Sequence, residues 1–140
     1  MSWDVYMVRT KLNTEEYNQI EDSDCIPFTK DELIKEWEDI AKILNLSVID
    51  TDSKFPHLRG DGWSIEACFY DYPKPECYLE LQIRGTKCPD EAFTLMKQKL
   101  DARIFDMSSG KFIEDTGEKS FKEWKELVDT IIDQKFNSVF

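Results

Sequence analysis

Residues 62–85 read GWSIEACFYDYPKPECYLELQIRG, and the alternation inside them decides the fold. Trp63, Ile65, Ala67 and Phe69 alternate with Ser64, Glu66, Cys68 and Tyr70; Leu79, Leu81 and Ile83 alternate with Tyr78, Glu80, Gln82 and Arg84. A period of two is that of a strand, whose successive side chains point to opposite faces. Asp71, Tyr72, Pro73, Lys74 and Pro75 form a turn-rich connection short enough for antiparallel neighbours. Each strand has one apolar face, the pattern of a sheet covered by helices on one side only.

Upstream, Trp3, Val5 and Met7 alternate with Asp4 and Tyr6 in a first strand over residues 3–9. Between Leu12 and Asp24 the pattern dissolves into an acidic loop anchored by Tyr17 and Ile20 and ending at Pro27. Thr29 then opens a helix over residues 30–44: its hydroxyl caps the Glu32 amide, the Glu32 carboxylate reaches back, and Phe28 staples onto Leu33. Leu33, Trp37, Ile40, Ala41 and Leu44 follow the 3.6-residue period, leaving Asp31, Glu32, Glu36, Glu38 and Asp39 to water. Asn45, a residue that tolerates the left-handed conformation, ends the helix. Leu46–Ile49 reads as a short strand, followed by a polar loop through Thr51, Asp52, Ser53 and Lys54.

Downstream, a helix begins near Pro89 and turns Ala92, Phe93, Met96 and Leu100 inward. Ile104 and Phe105, the turn residues Ser108, Ser109 and Gly110, then Phe112 and Ile113 make a strand or hairpin. A last helix has a second capping box, Ser120 with Glu123, and an apolar stripe of Trp124, Leu127, Val128, Ile131 and Phe136. The order β-α-β-β-β-α-β-(β)-α, with no repeat and no long linker, predicts one α+β domain over residues 1–140. Its sheet is mainly antiparallel, with helices packed on one face.

The chain's 18 Lys and Arg face 29 Asp and Glu, a formal charge of −11. Nucleic acid is not expected as a partner, since every phosphate contact starts from repulsion. No apolar run approaches the roughly 20 residues that cross a bilayer, and the amino end lacks a basic region followed by an apolar core, so a cytoplasmic protein is expected. Cys25, Cys68, Cys77 and Cys88 form no C-x-x-C pair and His57 is the only histidine, so structural zinc is not expected and the thiols read as reduced and partly buried. His57, placed in a loop beside Pro56, has no nucleophile at a recognisable spacing. Arg59-Gly60-Asp61 spells an adhesion tripeptide, but Gly60 and Gly62 more simply make a turn entering the Trp63 strand. No cofactor or metal is expected, and no catalytic residues are assigned.

Charge distribution is the sharper feature. Residues 1–76 hold 17 acidic and 8 basic side chains, against 12 and 10 in residues 77–140. Within the amino half, Glu15, Glu16, Glu21, Asp22, Asp24, Asp31, Glu32, Glu36, Glu38 and Asp39 face only Lys30 and Lys35. This loop and helix read as one acidic stripe, a surface that attracts a basic protein and speeds its association. The competing reading of these carboxylates is a solvated face that keeps the protein soluble. A second functional reading, a small ligand-binding domain or enzyme, rests on Glu66, Tyr70, Tyr78, Glu80 and Arg84, which alternation places on the open sheet face. A third is a homo-oligomer or accessory subunit built through a sheet edge. Tyr17, Tyr70, Tyr72 and Tyr78 are of the residue type that anchors interfaces.

Four segments also carry a resemblance: Trp3-Asp4-Val5-Tyr6, Gly62-Trp63-Ser64-Ile65-Glu66, Leu81-Gln82-Ile83-Arg84-Gly85, and Phe105-Asp106-Met107-Ser108-Ser109-Gly110-Lys111-Phe112. In these the chain resembles small bacterial proteins similar to the immunity proteins of polymorphic toxin systems, including contact-dependent growth inhibition. The resemblance implies a cytoplasmic, non-enzymatic antidote that binds a cognate toxin domain, often a basic nuclease, and blocks its active site.

Overall fold

In the computed structural model every alternating segment becomes a strand, and all of them join one antiparallel sheet. Described are residues 2–52, 54–113 and 117–139, with the backbone alone for Ile49 and residues 133–139. The elements are β1 (Trp3–Val8), α1 (Lys30–Leu44), β2 (Ser47–Ile49), β3 (His57–Gly60), β4 (Trp63–Cys68), β5 (Tyr78–Gly85), α2 (Asp90–Lys99), β6 (Arg103–Asp106), β7 (Lys111–Phe112) and α3 (Glu118–Val139). The seven strands are ordered β2-β3-β4-β5-β1-β6-β7, an α+β architecture with the amino-terminal strand inside the sheet. Ser53, assigned to a polar loop, and the side chain of Phe136, assigned to the last helix's stripe, lie outside the described residues.

One face of the sheet carries Trp3, Val5, Met7, Ile65, Ala67, Leu79, Leu81 and Ile83, all fully buried. Against them α1 buries Leu33, Trp37 and Ile40, while α2 buries Ala92, Phe93 and Met96. Each such aliphatic or aromatic side chain contributes about 1.5–3 kcal/mol relative to exposure, so this layer holds the domain together. Thr29 caps α1 by accepting from the Glu32 amide at 3.1 Å, and Asn45 ends it at φ 56°. The return half of the capping box does not form as expected: the Glu32 carboxylate pairs with Arg9 at 2.9 Å. A charge-assisted guanidinium bond outcompetes a neutral amide for that carboxylate.

Three expectations need correction. A strand over His57–Gly60 stands where a loop was expected, pairing with β4 through Gly60 and Trp63 across the Asp61-Gly62 turn. α3 starts at Glu118, so Ser120 lies in its first turn and does not cap it. Among the described side chains the stripe of α3 joins the core at its beginning: Phe121 is buried and Trp124 half-buried, but Leu127, Ile131 and Ile132 are 53%, 38% and 53% exposed.

The end of β5 depends on backbone with no side chain. Gly85 pairs with Trp63 at φ +125°, and a Cβ placed there would meet the Gly62 carbonyl oxygen at 2.2 Å. The same carbonyl accepts from the Thr86 amide at 2.9 Å, so it is not free to move aside. Gly85→Ala is expected to cost about 1–3 kcal/mol in urea unfolding; a midpoint equal to wild type would show that the turn relaxes freely.

Candidate functional site

The acidic loop and the acidic helix lie on opposite faces of the sheet. α1 packs on the face of Trp3 and Met7, through Trp37, whose indole N–H donates to the Met96 sulfur at 3.2 Å. The loop crosses the other face, where Tyr17 stacks on Phe105 with ring centroids 3.7 Å apart and planes 8° from parallel. Phe105 is opposite Tyr6 in the β1–β6 register, and Tyr17 also meets Tyr78 and Phe112 edge-on. This end of the face is therefore covered, and Val8, which points the same way as Tyr6, is fully buried there. Burial pushes the hydroxyls of Tyr17 and Tyr78 above their ordinary value.

Polar contacts tie the loop down. Thr10 and Asn13 exchange backbone-to-side-chain bonds at 2.9 and 2.8 Å, and the Asn13 amide donates to the Asp101 carbonyl at 2.7 Å. Arg103 donates to the Glu15 carbonyl at 2.8 Å and lies 4.0 Å over the Phe112 ring. Hydrogen bonds with the Thr10 hydroxyl and the Thr14 amide hold the Glu15 carboxyl below its ordinary value. Glu16, Glu21 and Asp22 point to solvent. Among the described residues no cation pairs with Glu21, Asp22 or Asp24.

On α1 two of the sequence-assigned carboxylates are used internally. Glu32 holds Arg9, and Asp39 pairs with Lys99 of α2, whose ammonium holds the Asp39 carboxyl below its ordinary value. Asp31 and Glu38 are exposed, while Glu36 is half-buried. Lys30, one of the two cations in the stripe, is buried with its ammonium 4.8 Å over the Tyr72 ring.

The part of the sheet face left open holds the second sequence-assigned group, in two clusters. Glu66 accepts from His57 at 2.7 Å and lies 3.7 Å from Arg84, and Asp50 lies 3.7 Å from the other imidazole nitrogen. That nitrogen, Nδ1, is buried and makes no hydrogen bond. Tyr70 donates to Glu80, and this bond drives the phenol well above its ordinary value. Tyr78 stands apart, under Tyr17. His57 belongs to this face, but β3 carries a single apolar side chain and so shows no alternation in the sequence; its one local signal is the Asp61-Gly62 pair, a hairpin turn dipeptide.

Two grooves, of 390 and 330 Å³, lie elsewhere, both lined in part by Cys88: one beside Phe121 and Lys122 of α3, the other beside Trp63. Neither is lined by Glu66, Tyr70, Tyr78, Glu80 or Arg84. Burial raises the Cys88 thiol well above its ordinary value and Cys68 to about 12, which keeps both protonated and unreactive at neutral pH. No three His, Cys, Asp or Glu among the described residues are arranged to hold a metal ion, and no described helix is long and apolar enough to cross a membrane. Comparison of the chain with protein-family models, with curated proteins and with solved structures finds no match.

Proposed function

We propose that the chain is a non-enzymatic binding protein that neutralises a basic partner, an immunity-type antidote to a toxin domain such as a nuclease. One observation carries this reading: the loop is pinned to the sheet by Tyr17, yet its Glu21, Asp22 and Asp24 pair with no cation among the described residues. A pinned loop presents its charges without an ordering cost on binding, and unpaired carboxylates attract a basic surface over several ångströms. Of the helix charges, Glu32 and Asp39 serve the fold, so the loop is the stronger half of the surface. The antidote role itself draws on the resemblance in four short segments.

Affinity capture from lysate of the source cells at low and high salt, followed by stopped-flow mixing with the captured protein, tests the proposal. A basic protein released by salt is expected, and the reversal Glu21→Lys/Asp22→Lys/Asp24→Lys should slow its association about tenfold at low salt with an unchanged melting midpoint. An association rate that ignores the reversal overturns the assignment, as does a capture that yields only acidic or salt-insensitive proteins. The second reading, a small-ligand site or enzyme on the open sheet face, draws on the unbonded buried Nδ1 of His57. A thermal-shift screen of metabolites distinguishes it, since a ligand there would raise the midpoint in wild type but not in His57→Ala.

A further inference from the structure

We propose that Cys25 and Cys77 are a reversible dithiol–disulfide pair that fastens the acidic loop to the start of β5. Backbone pairing brings the two residues together from distant parts of the chain. Cys25 bridges Thr10 just past the end of β1, and the Ile26 amide donates to the Arg9 carbonyl at 2.7 Å. Tyr78 stands opposite Val8, so the start of β5 reaches the same end of β1. Phe28 and Glu76 then exchange two backbone bonds, of 2.8 and 2.9 Å, locking the segment after Cys25 beside the one before Cys77. Both cysteines are free and half-buried, and the Cys25 thiol lies near enough to Cys77 to raise its proton affinity. Tyr78, the residue after Cys77, borders the pair, and burial together with Cys25 raises its phenol above the ordinary value.

The oxidant the pair would use is a small-molecule disulfide such as oxidised glutathione. One cysteine, having lost its proton, attacks a sulfur of that disulfide; the small molecule's S–S bond breaks and one thiol leaves. The second cysteine, deprotonated in turn, attacks the protein sulfur of the mixed disulfide, forming the Cys25–Cys77 bond and releasing a second small thiol. Two electrons pass from the protein to the small disulfide, and the two protons end on the released thiols. Burial, the Cys25 thiol and the carboxylates of Asp22 and Glu76 all push the Cys77 thiol up, so reaction at neutral pH is slow and quickens as pH rises. The bond closes a loop containing all of α1 and the hairpin of β3 and β4. It also fixes the carboxy-terminal end of the acidic loop. This chemistry needs no partner protein and stands or falls apart from the antidote reading.

Oxidised glutathione added to the folded full-length chain at mildly alkaline pH tests it, read by intact mass and non-reducing digestion. The expected result is a loss of two hydrogens and a peptide joining Cys25 to Cys77, reversed by a small dithiol and retained in Cys68→Ser/Cys88→Ser. The oxidised protein should melt at least about 5 °C higher, because the crosslink constrains the unfolded chain. A crosslink through Cys68 or Cys88, a stable glutathione adduct on Cys25 or Cys77, or no reaction overturns the proposal. Cys25→Ser and Cys77→Ser should each abolish the crosslink; if either variant misfolds, the wild-type digest decides alone.

Discussion

Replacing Trp37 by alanine is expected to lower the unfolding free energy by about 3–5 kcal/mol. Trp37 is fully buried in the middle of α1, among the largest side chains of the core, and its indole N–H bonds to the Met96 sulfur. Truncation empties a volume that a ten-residue α2 cannot refill by shifting, because Arg9 and Lys99 hold α2 to β1 and α1 at its carboxy-terminal end. It also removes the N–H···S contact to Met96. Total stability of a domain is about 5–15 kcal/mol, so the loss is a large fraction of it. Trp124→Ala is the internal control: half-buried on a helix whose stripe runs out into solvent, it should cost about 1–2 kcal/mol. Equal losses in urea unfolding of the two variants would show that α3 packs as tightly as α1.

The contrast between these two tryptophans shows where the sequence is readable. In α1 the cap, the apolar period and the stop all agree: Thr29, the Leu33 to Ile40 stripe and Asn45 each act as local chemistry requires. In α3 the same periodicity is present, but periodicity reports which face is apolar, not how far a partner surface extends beneath it. The sheet alternation was legible for the same local reason, since Ile65 or Leu81 can only point one way. β3 escaped because Leu58 is its only apolar side chain and Pro56 precedes it, so only the turn chemistry of Asp61-Gly62 marks it. The acidic stripe shows the deeper limit. Glu15 to Asp39 is contiguous in sequence, yet the chain crosses from one sheet face to the other between Tyr17 and Trp37, and nothing in a charge count encodes that crossing. Likewise Tyr17 was readable as an anchor, while Phe105, the ring it stacks on, lies 88 residues away by number and is brought there by strand order alone.

Arg9→Met should cost about 3 kcal/mol, a loss that no surface charge in this chain would match. Its guanidinium, on a side chain only 12% exposed, donates to the Glu32 carboxylate at 2.9 and 3.3 Å, to the Pro27 carbonyl at 2.9 Å and to the Leu100 carbonyl at 3.1 Å. It also lies 4.5 Å over the Phe28 ring. One side chain thus joins β1, the start of α1, the end of α2 and the segment that leads out of the acidic loop. Methionine keeps the apolar stem but leaves the Glu32 carboxylate and the carbonyls of Ile26, Pro27 and Leu100 without their donor, and the part-buried acceptors, Glu32 and Leu100, carry the larger part of the loss. Arg9→Lys should recover less than half, because an ammonium cannot reproduce the planar fork that reaches three segments at once. In a double-mutant cycle, Arg9→Met with Glu32→Gln should fall short of the sum of the singles by about 1–2 kcal/mol. Strict additivity in urea unfolding would mean that Glu32 contributes nothing through Arg9, which would free it for the basic partner after all.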